Sequence, residues 1–232
     1  MEDTTHRRGQ PPDSTDSIVI SEPWQVEEYL RRLGGLSSTV LREAVWAGVS
    51  ERASCTTLDP PSAEGYETWR WPVRVIRESL LPGGHWRVFN DRGLPLTVHP
   101  ALRIAVAVMT GTAATGNPAR TPRTKNERGE RTTAFLDVNR KHQQQRLFDA
   151  QEPQAIPTPA GNERDTWVLL LYPTPTGARC ELSLPSAMDD KLRLCEWRVR
   201  LMLEPVSLER QPTSQHDDEI TDESYEVEVA RR

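Results

Sequence analysis

Apolar residues recur at helical spacing between residues 26 and 33, where Val26, Tyr29, Leu30 and Leu33 form one stripe. Ahead of it, Ser21-Glu22-Pro23 reads as an N-cap followed by a proline tolerated in a first turn, and Gly34-Gly35 stops the helix. Ser37 or Ser38 then caps a second helix with Leu41, Ala44, Val45, Gly48 and Val49 on one face. So short a connection predicts an antiparallel helix hairpin. Residues 53–64, with Asp59-Pro60-Pro61, read as a loop. A third helix is expected from about Pro72, burying Val73, Ile76 and Leu80 and ending at Pro82-Gly83-Gly84.

The period then changes. Residues 85–89 alternate as a strand, residues 90–93 (Asn-Asp-Arg-Gly) supply a turn, and residues 94–98 return as a hairpin. The runs 104–109 and 167–171 are apolar on both faces, as in a buried central strand, although periodicity alone leaves a buried helix open for the first. Cys180, Leu182 and Leu184 alternate with polar residues, as do Trp197, Val199, Leu201 and Leu203. Leu192 and Leu194 have the opposite parity to that last set, so a bulge or turn near Cys195 is expected. The C-terminal strands read as a meander of about 45 residues, too small to bury a core alone. They are therefore expected to join or cover the strands of residues 86–109.

The expected fold class is α+β. N-terminal helices pack with a mixed or antiparallel sheet built from the central hairpin and the C-terminal meander, with a long flexible central loop and disordered termini. The expected divisions are a disordered tail at 1–17, a helical and hairpin part at 18–110, and a flexible basic and proline-rich excursion at 111–163. The meander at 164–206 completes the same domain, and an acidic disordered tail occupies 207–232.

Composition refines this picture. The chain has 232 residues, 36% of them hydrophobic, and 19 prolines, which fits a modest core with long excursions. No apolar run is long enough to cross a membrane, and the polar start lacks the core of a signal peptide. Cys55, Cys180 and Cys195 are odd in number and far apart, which points to reduced thiols in a cytoplasmic protein. The net charge of −5 is unevenly placed. Residues 119–148 hold eight basic residues against three acids, whereas residues 217–228 hold seven acids and no base. These read as two solvated, mutually compensating segments, or as a basic loop for nucleic acid with which the acidic tail competes.

Candidate chemistry is sparse. Gly111 and Gly116 have the spacing that opens a phosphate loop, but Asn117-Pro118 stands where the lysine and hydroxyl are needed, so a small-residue connector is expected. No cofactor and no metal site are implied. His85 and His99 flank the hairpin and can meet in space near Cys55, while Asp189-Asp190 reads as turn chemistry. No serine or cysteine stands in a nucleophile setting. Trp69-Arg70-Trp71 with Arg74 and Arg77 mixes aromatic and basic residues around the third helix. Three helices and a hairpin are also the order of a winged helix, in which Arg74 and Arg77 would meet DNA and Arg87 and Arg92 would lie on the wing.

The central stretch carries one short motif. Gln144-Gln145-Arg146-Leu147-Phe148 has the form Q-x-x-L-F, which resembles the peptide by which bacterial polymerases and repair proteins dock on the DNA sliding clamp. The sequence keeps the glutamine, leucine and phenylalanine of that pattern and departs from it at Gln145 and Arg146. The resemblance implies a protein partner bound through Gln144, Leu147 and Phe148. Adjacent apolar anchors in a polar segment suit a pocket on a partner. A helix over residues 133–148, with Phe135, Val138 and Leu147 packed on the body, is the alternative.

The leading expectation is a non-enzymatic accessory protein of DNA metabolism that docks on the clamp through this motif. Arg120, Arg123, Lys125, Arg128 and Arg131 would touch DNA. The alternatives are a winged-helix regulator using Arg74 and Arg77, an interaction factor of a mobile element in phage defence or counter-defence, and an enzyme with a dispersed site around His85 and His99.

Overall fold

A computed structural model describes residues 17–91, 93–127, 129–149 and 164–209, except for the side chains of 131 and 143–149. Its centre is an eight-stranded mixed sheet in the order β1-β7-β6-β5-β4-β3-β2, with β8 added to β6. The strands are β1 (Ile18–Ile20), β2 (Arg87–Asp91), β3 (Leu94–His99), β4 (Ile104–Thr110), β5 (Asp165–Thr174), β6 (Gly177–Met188), β7 (Leu194–Met202) and β8 (Val206–Ser207). The meander joins the hairpin strands directly: β5 pairs with β4 in parallel, Val106 opposite Trp167 and Val108 opposite Leu169. This junction makes β4 and β5 central, and it explains why their residues are buried on both faces. The chain also contributes β1, parallel to β7, from three residues too few to show a period in the sequence.

Helices α1 (Pro23–Arg32), α2 (Ser38–Ser54) and α3 (Ala63–Leu80) cover one face. Their apolar stripes meet Val106, Val108, Leu169, Leu182 and Leu201 of the sheet in one core. Glu22, not Ser21, is the residue at the N-cap of α1, and the Ser37 hydroxyl caps α2 by accepting from the Val40 N–H at 3.2 Å. Ser38 instead gives its N–H and hydroxyl to the Glu27 carboxylate, tying the two helices together. The third helix starts nine residues before the proline from which it was expected, so Pro72 lies inside it. Gly48 accommodates the proline: a Cβ there would stand 2.7 Å from the Pro72 ring and 2.9 Å from the Thr68 carbonyl. That carbonyl is the one left without an N–H partner by Pro72. Glycine alone lets α2 come so close.

The opposite face is covered by residues 111–127 and by α4 (Glu130–Asp149). Phe135 and Leu136 of α4 pack with Ala105, Ala107, Val168, Leu170 and Trp197 in a second core. The stretch read as an excursion is thus laid on the sheet through residue 142, in the manner of the alternative helix. Trp197 also departs from expectation, for it faces this second core while Val199 and Leu201 face the first. A slip in the β6–β7 register that passes over Arg198 carries it across, and a later slip passes over Cys195, where a bulge or turn is expected. Residues 1–16, 150–163 and 210–232, where tails and the proline-rich segment are expected, lie outside the described residues.

One polar side chain replaces backbone pairing. Pro185 has no N–H to give β5, and the Asn139 amide of α4 stands in for it. Its Oδ1 accepts from the Thr166 N–H at 2.8 Å, and its Nδ2 donates to the carbonyls of Thr166 and Pro185, both at 3.2 Å.

Candidate functional site

The longer face of α3 that is not in the core borders a groove of about 750 Å³ against the β2–β3 hairpin. Tyr66, the adjacent Trp69 and Arg70, Val73 and Arg77 recur at intervals of three and four residues, which puts them on one side of the helix. Tyr66 is 53% exposed and lies 5.8 Å from Trp69, ring centre to ring centre. Arg70 and Arg74 stand over Trp71, at 4.7 and 5.0 Å from its centre. They pair with Glu67 at 2.8 Å and Glu78 at 2.7 Å. Arg77 is different. It donates to the Asn90 side chain at 2.9 Å and to the Leu96 carbonyl at 3.2 Å, and burial lowers its pKa from the ordinary arginine value. Arg77 therefore ties helix to hairpin and forms the groove floor, while Arg74 is presented to solvent. The hairpin itself is the outer edge of the sheet rather than a separate wing, with Arg87 exposed. Arg92 lies outside the described residues.

The basic residues of the central stretch sit elsewhere. Residues 111–124 cross the opposite face and are fastened to it by a buried ion pair. Arg200 is 2% exposed and Glu181 fully buried. The guanidinium gives Glu181 a forked pair of hydrogen bonds at 3.0 and 2.6 Å and donates to the carbonyls of Asn117 and Arg120. Glu181 also accepts from Ser183 at 2.9 Å and from the Gly116 N–H at 2.9 Å. The small-residue loop between Gly111 and Gly116 thus receives an anion, but the anion is the chain's own carboxylate. Trp197 adds a bond from its indole to the Pro122 carbonyl at 2.8 Å. Arg120, Arg123 and Lys125 point outward from this fastened loop, Arg123 pairing with Asp189 at 3.5 Å. Arg128 and the Arg131 side chain lie outside the described residues. The structure does not bring Arg120, Arg123 and Lys125 together with Arg74 and Arg77: the sheet separates them.

His85 and His99 do meet, stacked at 5.9 Å between ring centres, with Trp86 edge-on to His99 at 5.2 Å. They meet beside Gly34, whose carbonyl takes the Trp86 indole N–H at 3.0 Å. Cys55 stands at the far end of α2, about 25 Å away along a helix of that length, so the expected grouping of the three does not form. Burial, and then the neighbouring His85, push the His99 imidazole below the ordinary histidine range. Burial likewise pushes all three thiols up, Cys180 to about 12, which is unfavourable for a thiolate nucleophile. His142 of α4 holds Asp165 at 2.8 Å, and its Nε2 is buried without a partner among the described residues. Among the described residues no group of three His, Cys, Asp or Glu could hold a metal ion, and no helix is long and apolar enough to cross a membrane.

Gln144, Leu147 and Phe148 fall in the last two turns of α4, after His142, the last of its residues with a described side chain. Tyr66 was not singled out in the sequence because its helix was expected to begin later. The helix-forming Ala63 and Glu64 ahead of it are the signal that could have found it. No protein-family model, no curated protein and no solved structure matches the chain.

Proposed function

We propose that the protein is a non-enzymatic accessory factor of DNA metabolism that holds a single strand of nucleic acid in the α3 groove. The observation that carries this reading is the recess in which Tyr66 and Trp69 lie beside Arg70 and Arg74. The exposed Tyr66 ring offers a stacking surface to a base, worth about 1–3 kcal/mol, beside the half-buried Trp69, and an arginine next to them meets phosphate. The Glu78 pair is no obstacle. The Arg74–Glu78 pair is solvent-exposed, and pairs of this kind contribute about 0.2–1 kcal/mol, so a phosphate can displace Glu78, while Arg70 stays with the part-buried Glu67. The test is fluorescence anisotropy of a labelled oligonucleotide of about twelve bases, within the usual site sizes. Tyr66→Ala should weaken binding about tenfold, and the salt slope should fall by about 0.7 with Arg74→Gln. Binding that is absent, or unchanged in both variants, refutes the reading.

A second reading is favoured by the position of Q-x-x-L-F. The anchors of α4 to the sheet that are described, Phe135, Leu136, Asn139 and His142, all precede Gln144. The motif then follows the anchored turns as a docking peptide for the sliding clamp. A peptide of residues 140–152 should bind purified clamp, and Leu147→Ala with Phe148→Ala should abolish the anisotropy change. No change at high micromolar clamp removes this reading.

A further inference from the structure

Among the described residues the sheet ends on β2, whose outer side pairs with no strand. Arg87, Val88 and Asn90 are exposed, and Val88 keeps 47% of its surface open to solvent. An open edge with this exposure is a template for another strand. We propose that a second copy of this chain pairs with β2, antiparallel, about a two-fold axis that passes between the two Phe89 residues.

The backbone fixes which groups are offered. The hairpin pairs Asp91 with Leu94 across the two residues Arg92 and Gly93, and it pairs Asn90 with Pro95, Phe89 with Leu96 and Val88 with Thr97. Closing a two-residue turn makes Asp91 and Leu94 the hydrogen-bonded pair, so Phe89 and Arg87 also bond inward to β3. Val88 and Asn90 then direct their N–H and C=O groups outward. Pro95, which has no N–H, lies opposite Asn90, where the hairpin requires none.

The side chains select the register. A two-fold axis at Phe89 places Val88 opposite Asn90 of the second copy, so the outward groups of each exchange hydrogen bonds. The same axis places Arg87 opposite Asp91 of the second copy, twice over, on the face that carries Phe89. An axis at Arg87 or at Asp91 would set like charges against each other, and an axis at Val88 or Asn90 would oppose neither charge with its complement. The strand Arg-Val-Phe-Asn-Asp is therefore complementary to itself in one register. Arg164 lies over the Phe89 ring at 4.5 Å, and Asp91 acts on it electrostatically. A carboxylate has acceptor sites enough to serve both Arg164 and an arginine from the second copy. An isologous pair of this kind closes on itself and leaves the short β1 at each outer end.

The test is the mass of the full chain by sedimentation velocity. The native chain should reach twice 26.3 kDa at about 100 µM, a concentration at which even a weak isologous pair is populated. Arg87→Asp alone and Asp91→Arg alone should each raise the dissociation constant about tenfold or more, leaving monomer. Mixing those two variants should restore the dimer, because each copy then supplies the charges that the other lacks. Val88→Pro removes only an outward N–H and should also give monomer, with the circular dichroism of the native chain. A native chain that stays monomeric overturns the proposal. So does a dimer that survives all three substitutions, or a mixture of the two charge variants that stays monomeric while both remain folded.

Discussion

Replacing Arg200 by methionine removes the cation that fastens residues 111–124 to the sheet. Four hydrogen bonds go with it, two to Glu181 and one each to the carbonyls of Asn117 and Arg120. Arg120 is exposed and Asn117 half-buried, so water can reach those carbonyls at little cost. Glu181 is fully buried, and among the described residues its carboxylate is left with the Ser183 hydroxyl and the Gly116 N–H. Breaking a buried pair by removing one member costs about 3–5 kcal/mol, and the two surviving donors put the expected loss near 3 kcal/mol. Removing both charges should cost less than removing one. Arg200→Met with Glu181→Met leaves no buried ion, and replacing a buried pair by apolar groups is neutral or favourable in other proteins. Urea unfolding of the two variants measures the difference, and limited trypsin digestion reports on the loop. Cleavage after Arg120 and Arg123 should accelerate in both, because the loop loses its fastening in both. A double variant as unstable as Arg200→Met, or a single variant less than about 1 kcal/mol below the native chain, would refute this account of the latch.

Four further outcomes follow from the packing. Asn139→Ala should lower stability by about 2–3 kcal/mol, because it orphans the buried N–H and C=O of Thr166, and hydrogen exchange at the Thr166 amide should quicken. Gly48→Ala should destabilise by about 1–2 kcal/mol despite its better helix propensity, since its methyl meets the Pro72 ring, as measured by urea unfolding. The matched change Gly65→Ala, which meets nothing within 4 Å, should stabilise by about 0.5–1 kcal/mol. His99 titrates below 6.5 when folded and near 6.5 when unfolded, so the unfolded chain binds the extra proton first. Its contribution to stability is complete above that value and is lost as the pH falls below it. Urea midpoints followed downward from pH 7 should show this decline, and His99→Asn, which keeps an acceptor for the Leu102 N–H, should flatten it.

The helical stripes and the doubly buried strands were legible because each is a local period with punctuation at its ends, as at Gly34-Gly35 and Pro82-Gly83-Gly84. The joining of β4 to β5 follows from the size of the meander, although the parallel pairing spans residues far apart in sequence and has no local signal. The latch was hidden for a different reason. Glu181 and Arg200 alternate with apolar neighbours and so read as solvent-facing, when a loop covers them. Likewise α4 is polar along most of its length, and its main anchor besides Phe135 and Leu136 is an asparagine that fills a gap left by Pro185. No period within α4 could announce a vacancy in another strand. The groove was half visible, as Trp69, Arg70 and Arg74, but Pro72 misplaced the start of α3 and concealed Tyr66.

The central claim is that nucleic acid lies along α3, and photocrosslinking tests it most directly. A single strand carrying 4-thiothymidine is bound to the full chain, irradiated, and the crosslinked tryptic peptides are sequenced. The prediction is a crosslink in the peptide of residues 53–70, which contains both Tyr66 and Trp69. Crosslinks confined to residues 119–127 on the opposite face, or no crosslink at all, would contradict it.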